Sequence, residues 1–93
     1  SVKQDYKEAL RLFKLSSAAG NGLGSSNIGY MYEEAKGLNK DYKKAAEYYA
    51  LAVEQGENEV LLDLARLYKA GGYGLAKNQE LAEEYEAKWS DLQ

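Results

Sequence analysis

An internal repeat with a period of about 36 residues constrains the fold of this chain more than any other feature. A shift of 36 residues places residues 5–35 on residues 41–71, and many positions are then identical. The identical pairs include Asp5/Asp41, Tyr6/Tyr42, Lys7/Lys43, Ala9/Ala45, Leu15/Leu51, Gly20/Gly56 and Tyr32/Tyr68.

The repeat continues into the last third of the chain after a one-residue insertion at Tyr73, so the offset there is about 37 residues. The pairs that match at this offset include Gly37/Gly74, Leu38/Leu75, Lys40/Lys77, Ala45/Ala82 and Tyr48/Tyr85. A unit of this length has room for two helices and a turn, which is typical of an α-solenoid.

The cap residues and glycine turns of the sequence predict five helices, over residues 5–19, 23–35, 41–55, 58–70 and 78–91. Proline is absent and glycine occurs nine times, which favours helices joined by glycine turns. Asp5, with Glu8 three residues later, has the pattern of an N-cap with a capping box. Asp41 and Asn78 are the corresponding caps further along, and glycine stops follow the first and third helices.

Residues 36–49 combine a glycine loop, a cap and the opening of a helix. Gly37 is predicted to form the corner, and Asp41 to start the helix that follows. Ala45 and Tyr48 then lie on one side of that helix, where they are expected to pack against neighbours. The lysines nearby, at positions 36, 40, 43 and 44, are interpreted as a solvated loop and helix start.

Helical periodicity gives each predicted helix an apolar side. These sides are Ala9, Leu12, Phe13 and Leu15 in the first helix, and Leu23, Ile28, Met31, Tyr32 and Ala35 in the second. The third carries Ala45, Tyr48, Tyr49, Ala52 and Val53. The fourth carries Val60, Leu61, Leu64, Ala65, Leu67 and Tyr68, and the fifth Leu81, Ala82, Tyr85 and Trp89.

The second predicted helix contains glycine at two places, and the predicted consequence differs between them. Gly29 lies inside the helix, and its repeat mate is Ala65, so we expect a close helix–helix approach at this position. Gly24, Ser25 and Ser26 predict a weak, fraying helix start.

Composition excludes several classes of function. Without cysteine or histidine the chain has no disulfide, no thiolate nucleophile and no Cys/His metal site. The net charge of −3 argues against nucleic acid as a partner, and no apolar run is long enough to span a membrane. Gly71–Gly74 lacks the strand and the Lys-Ser pair of a phosphate loop. We expect no enzyme activity and no cofactor or metal, with the glutamates at 80, 83, 84 and 86 forming a hydrated helix face.

The repeat unit resembles the Sel1-like repeats, which are relatives of the tetratricopeptide repeats. Residues 28–32, Ile-Gly-Tyr-Met-Tyr, are similar to the Leu-Gly-x-x-Tyr segment of that family. Residues 37–45 are similar to its glycine loop and cap, Tyr48-Tyr49 stands for its Trp-Tyr pair, and Gly56 closes the unit. The second copy departs from the pattern at Ala65, where glycine is expected, and at the extra residue beside Tyr73.

This resemblance implies an all-α fold, a short right-handed α-solenoid of about five antiparallel helices. It also implies a single Sel1-like repeat domain over residues 1–93. Within that domain, residues 5–20 are a leading helix, 22–56 the first repeat and 58–92 the second.

In solenoids of this kind the first helix of each pair lines the concave face. The polar and aromatic positions of these helices that lie off the core side are therefore the candidate partner-binding residues. They are Asn27, Tyr30, Glu34, Asp63, Arg66 and Lys69.

Family resemblance implies a non-catalytic protein- or peptide-binding scaffold or adaptor. Two alternatives stay open: a structural segment of a longer repeat array, and a bacterial immunity or inhibitor protein that binds an effector enzyme. The expected partner is a protein or peptide, without nucleic acid and without membrane insertion. Self-association through the solenoid ends, Val2/Tyr6/Leu10 or Trp89/Leu92, is a further expectation. Residues 1–5 read as a processed or trimmed end, so a cytoplasmic, periplasmic or lumenal location stays open.

Overall fold

A computed structural model describes all residues, 1–93, as five α-helices with one short 3-10 turn. The helices are α1 (Val2–Ala18), α2 (Gly22–Glu33), α3 (Tyr42–Glu54), α4 (Leu61–Ala70) and α5 (Gln79–Asp91), and the turn is Asn58–Val60. The only β-type pairing is an isolated bridge between Gly72 and Leu75. The prediction of an all-α fold with five helices is therefore confirmed.

Two of the three predicted helix caps are confirmed. The Asp41 carboxylate accepts a hydrogen bond from the Lys44 amide at 2.9 Å, and the Asn78 side chain accepts one from the Leu81 amide at 3.0 Å. The backbone amides of the two caps also form hydrogen bonds to the preceding helices. The Asp41 amide donates to the Tyr32 carbonyl of α2, and the Asn78 amide donates to the Tyr68 carbonyl of α4. Each cap thus ties a loop to the helix before it.

Asp5 is not a cap, which corrects the third prediction. Helix α1 begins at Val2 and is capped by Ser1, whose hydroxyl accepts from the Gln4 amide at 3.2 Å. The amide of Asp5 donates to the Ser1 carbonyl inside the helix instead. The helical conformation therefore extends by three residues beyond the predicted start.

Tyrosine pairs join the two helices of each repeat. Tyr32 of α2 stacks on Tyr48 of α3 with ring centroids 6.0 Å apart, and Tyr68 of α4 stacks on Tyr85 of α5 at 6.1 Å. Stacked rings at this distance add to the apolar area that they bury. The prediction that these tyrosines serve inter-helix packing is confirmed.

The main core lies where α3 and α4 meet. It consists of the buried residues Ala45, Ala46, Tyr49, Ala52, Val60, Leu64 and Leu67. Ile28, Met31, Leu61, Ala65 and Ala82 are buried as well. Most of the predicted apolar positions of α3 and α4 are therefore fully or partly buried.

Four predicted apolar positions are wrong. Leu12 and Leu15 of α1 are 50% and 60% exposed, because α1 packs mainly against α2 and these two side chains lie outside that contact. Leu23 is exposed because the residues beside it, Gly22 and Gly24, are the ones that face other helices. Ala35 lies beyond the end of α2, in a turn with φ +54°, and is exposed.

The start of α2 is closely packed, so the prediction that it is weak and frays is wrong. A Cβ atom on Gly24 would lie 2.7 Å from the Cβ of Ser16 in α1. The Ser25 hydroxyl is buried and donates to Oε1 of Gln55 at 2.5 Å, and it also shares a 2.6 Å hydrogen bond with the hydroxyl of Ser17. The side-chain Nε2 of Gln55 donates in turn to the Ser17 carbonyl at 3.1 Å. Small residues here let α1, α2 and α3 approach one another.

Gly29 marks a second close approach, between α2 and α3. A Cβ at this position would lie 2.7 Å from the Tyr49 ring and 3.1 Å from the carbonyl oxygen of Ala45. Contacts under 3.0 Å require one of the two groups to move. The expectation of a close helix–helix approach at Gly29 is confirmed.

We expect the Gly29→Ala substitution to lower the free energy of unfolding by about 1–2 kcal/mol. Overpacking a core costs roughly 1–3 kcal/mol, and the better helix propensity of alanine offsets about 0.5–1 kcal/mol of it. Urea denaturation monitored by circular dichroism measures the change. The cost should shrink in a Tyr49→Leu background, where the ring is gone. An equal cost in both backgrounds would show that the ring contact is not responsible.

Candidate functional site

An open groove of about 460 Å³ lies between α2 and α4, with α3 beneath it. We call it the α2–α4 groove. Helix α2 contributes Ser26, Asn27, Tyr30 and Glu33 to its lining, and Glu34 directly follows that helix. The other lining residues are Tyr49 of α3, Val60 of the 3-10 turn, and Asp63 and Arg66 of α4.

The groove contains five of the six residues that the sequence singles out for partner binding. Asn27, Tyr30 and Glu34 come from the first repeat, and Asp63 and Arg66 from the second. Positions 30 and 66 are equivalent in the two repeats, since they are 36 residues apart. The stacking of the repeats therefore brings equivalent positions to one surface.

Lys69 lies outside the α2–α4 groove. Its ammonium group donates to a carboxylate oxygen of Glu86 in α5 at 2.6 Å. Lys69 is the repeat mate of Glu33, and each of the two is hydrogen-bonded to the second helix of its own repeat, Glu33 to Tyr49 of α3 and Lys69 to Glu86 of α5. Sequence periodicity alone did not separate the side of α4 that carries Asp63 and Arg66 from the side that carries Lys69.

A buried carboxylate, Glu33, connects three helices under the groove. Its exposed fraction is 6%, and its Oε1 accepts a hydrogen bond from the Tyr49 hydroxyl at 2.8 Å. Nη1 of Arg66 donates to Oε2 of the same carboxylate. Nη2 of Arg66 donates to Oδ1 of Asp63 at 2.9 Å. Because these bonds link α2, α3 and α4, they fix the position of the Arg66 side chain.

The electrostatics of this network favour fixed protonation states. Burial raises the pKa of the Tyr49 phenol far above its ordinary value, and the hydrogen bond to Glu33 raises it further. The hydrogen bond to Glu33 also raises the pKa of the Arg66 guanidinium. Tyr49 thus stays a hydrogen-bond donor and Arg66 stays charged. The lining has three acidic side chains, Glu33, Glu34 and Asp63, and one basic side chain, Arg66, so its formal charge is −2.

Two side chains of the groove, Tyr30 and Arg66, are exposed enough to contact a partner. Tyr30 is 49% exposed, and the Arg66 side chain is about half exposed. The Arg66 guanidinium has N–H groups beyond the two that bind Glu33 and Asp63. Tyrosine and arginine are enriched among residues that dominate the energy of protein interfaces. The lining contains no cysteine or histidine and no serine beside a base at hydrogen-bond distance.

Sequence reasoning missed Glu33, the residue that organises the site. One signal could have found it: Glu33 is four residues after Gly29, so both lie on the face of α2 that meets α3. A carboxylate on such a face needs a partner, and Tyr49 is the polar side chain of α3 that meets it.

Two further findings describe the whole chain. None of the five helices combines the length and the apolar character needed to cross a bilayer. Acidic side chains do not gather in any group of three or more that could hold a metal ion.

Comparison with a solved structure shows the same architecture. The chain superimposes with a TM-score of 0.80 and 34% sequence identity on c5321, a protective antigen present in uropathogenic Escherichia coli strains that displays an SLR fold. The match covers 89% of this chain and 18% of c5321, so the chain spans less than a fifth of that protein's length.

A family model described as Sel1 repeat matches three successive segments, residues 1–21, 23–57 and 59–92. The three matches leave only isolated residues uncovered and follow the internal repeat. Repeats of this family are generally protein-interaction scaffolds. The resemblance inferred from the sequence is confirmed: the chain belongs to the Sel1 repeat family.

Proposed function

We propose that this protein is a non-catalytic scaffold that binds a protein or peptide segment in the α2–α4 groove. One observation carries the proposal. Two half-exposed side chains of the interface type, Tyr30 and Arg66, come from equivalent positions of adjacent repeats and line the same groove. Solenoid repeats typically recognise partners through such repeated positions.

Rigidity of the groove supports this function. Arg66 is held by Glu33 and Asp63, so its guanidinium is oriented before a partner arrives. Ordering a long side chain on binding costs roughly 0.5–1.5 kcal/mol, and a side chain that is already held avoids much of this cost. The negative excess of the lining favours a partner segment with basic or neutral side chains over an acidic one.

We expect the Tyr30→Ala substitution to weaken partner binding by about 30-fold, since the loss of a central interface tyrosine costs roughly 2 kcal/mol. The partner is first captured with the tagged chain, and its affinity is then measured by isothermal titration calorimetry. Leu62→Ala is the matched control, because Leu62 is an exposed apolar residue on α4 that does not line the groove. Its affinity should equal that of the unmodified chain.

Arg66→Ala provides a second measurement on the same surface, with Arg11→Ala as its control. Arg11 of α1 makes a similar ion pair with a carboxylate three residues away and does not line the groove. Because Arg66 also supports Glu33, thermal unfolding of this variant must show that it is folded at the temperature of the titration. Unchanged affinity in both Tyr30→Ala and Arg66→Ala would remove this groove as the binding surface.

The two other hypotheses stay predictions. A segment of a longer array would have further repeat copies beside it in the parent gene. An immunity or inhibitor protein would have a gene for a toxic enzyme as its neighbour, and the chain would inhibit that enzyme.

A further inference from the structure

The loop between α4 and α5 carries an inserted tyrosine whose side chain is exposed. Tyr73 is the extra residue of the second repeat relative to the first, and it is 59% exposed. Its φ of +49° lies in the left-handed region, between Gly72 and Gly74, which also have positive φ. A tyrosine in this conformation is strained, whereas a glycine would not be. A bulky side chain at such a position points to a role for the ring beyond shaping the turn.

Tyr73 is held against the start of α3. Its carbonyl oxygen accepts a hydrogen bond from the Tyr42 amide at 2.9 Å, and its ring meets the Tyr42 ring edge to face, with centroids 4.8 Å apart. The Lys40 ammonium lies 5.1 Å from the centroid of the Tyr73 ring and 5.7 Å from that of the Tyr42 ring. Cation–π contacts at such distances are attractive. The Tyr73 ring is therefore both positioned and exposed, so little ordering would be needed for it to contact a partner.

A second lysine adjoins the same loop. A Cβ atom on Gly74 would lie 3.6 Å from the Cβ of Lys43. We call Lys40, Tyr42, Lys43 and Tyr73 the Tyr73 patch. Three of these residues belong to the first repeat and one to the second, and none of them lines the α2–α4 groove.

The chain does not neutralise the positive charge of the Tyr73 patch. Lys40 and Lys43 are exposed, and neither takes part in any of the ion pairs of the chain. The acidic side chain between them, Asp41, is engaged as the cap of α3 through the Lys44 amide. Residues 40–44 contain three lysines and one aspartate, a formal charge of +2, in a chain whose net charge is −3.

We propose that the Tyr73 patch is a second docking surface, which binds an acidic peptide segment of a partner protein. Carboxylates of the segment bind the ammonium groups of Lys40 and Lys43, and a neighbouring aromatic or apolar side chain packs on the exposed ring of Tyr73. The inference does not depend on the function proposed for the α2–α4 groove. Because the groove has a formal charge of −2 and the patch is positive, the two surfaces select segments of opposite charge.

The surroundings of the Tyr73 patch favour a short segment over an extended polyanion. A nucleic acid or an anionic membrane presents negative charge over a wide area. It would bring that charge close to acidic side chains such as Glu47, which is exposed one turn along α3 from Lys43. A peptide places its few carboxylates over the two lysines alone.

The test is an NMR titration of the isotope-labelled full chain with the synthetic peptide Glu-Asp-Glu-Phe-Glu-Asp-Glu. We expect the amide resonances of residues 40–44 and 71–75 to shift. The affinity should fall about tenfold or more between about 0.15 M and about 1 M salt, where the Debye length shortens from about 8 Å to about 3 Å. A peptide with lysine in place of every acidic residue should leave these resonances unmoved.

Two variants test the ring and the charge separately. Tyr73→Gly removes the ring at a position where glycine adopts the backbone without strain. This variant should melt no lower than the unmodified chain and should bind the acidic peptide about tenfold more weakly. Lys40→Glu should also weaken binding about tenfold. Lys14→Glu is its matched control, since Lys14 is an exposed lysine of α1 that forms no ion pair, and it should keep the affinity of the unmodified chain.

Four results would overturn the proposal. The first is the absence of shifts at residues 40–44 and 71–75, or shifts confined to the α2–α4 groove. The second is a Tyr73→Gly variant that melts lower but keeps its affinity, because the ring would then be structural only. Equal weakening by Lys40→Glu and Lys14→Glu would indicate attraction by net charge alone. Tighter binding of a DNA oligonucleotide or of anionic vesicles at the same resonances would make a polyanion the occupant.

Discussion

Replacing Leu64 by alanine should lower the free energy of unfolding by about 2–5 kcal/mol, the range for truncation of a buried leucine. Leu64 is 0% exposed and belongs to the core cluster formed mainly by α3 and α4. The loss combines the transfer free energy of the missing methyl groups with the cavity that remains. At about 4–8 °C per kcal/mol for a domain of this size, the melting temperature should fall by roughly 8–40 °C.

The matched control is on the same helix, two residues away. Leu62 is 45% exposed, so Leu62→Ala should change the free energy of unfolding by less than about 0.5 kcal/mol. Both variants are measured by urea denaturation at constant pH. Equal effects of the two substitutions would contradict the assignment of Leu64 to the core and Leu62 to the surface.

The second large effect is expected from Glu33→Ala, at about 2–3 kcal/mol of unfolding free energy. The substitution leaves the Tyr49 hydroxyl buried without its acceptor, and an orphaned buried donor costs roughly 1–3 kcal/mol. It also removes the ion pair with Arg66. That part of the loss is small, because the Arg66 side chain is half exposed and water replaces the carboxylate.

Two control variants make this prediction specific. Glu33→Gln preserves an oxygen that can accept from Tyr49, so its cost should be smaller than that of Glu33→Ala. Glu34→Ala changes the neighbouring glutamate, which is exposed, and should be nearly neutral. If Glu33→Ala were as mild as Glu34→Ala in urea denaturation, the network would contribute little to stability.

The Glu33 network links the stability of the fold to the geometry of the α2–α4 groove. The carboxylate that satisfies Tyr49 in the interior also orients Arg66 at the surface. Substitutions at Glu33 should therefore affect both unfolding and partner affinity, whereas Tyr30→Ala should affect affinity alone. This difference distinguishes a residue that shapes the groove from one that contacts the partner.

Much of the architecture could be predicted from the repeat. Asp41 and Asn78 are polar caps that follow glycine loops, and local hydrogen bonding decides such positions. The stacked pairs Tyr32/Tyr48 and Tyr68/Tyr85 recur at the repeat spacing, because equivalent residues have equivalent neighbours.

Part of the groove could be predicted for the same reason. Tyr30 and Arg66 are equivalent positions of neighbouring units, and stacking of the units places them on one surface. Lys69 could not be separated from them by sequence, since its partner Glu86 is contributed by another helix.

The sequence by itself determined the helices, their order and the repeat family, because caps, glycine turns and apolar periodicity act within a few residues. Only the tertiary structure decided which apolar faces are covered. Leu12 has the same periodicity as Tyr48, yet it is half exposed, whereas the ring of Tyr32 stacks on Tyr48. Only the tertiary structure, likewise, showed that Glu33 is buried and bound by groups from two other helices. Burial depends on neighbours that are distant in sequence, and local patterns do not contain that information.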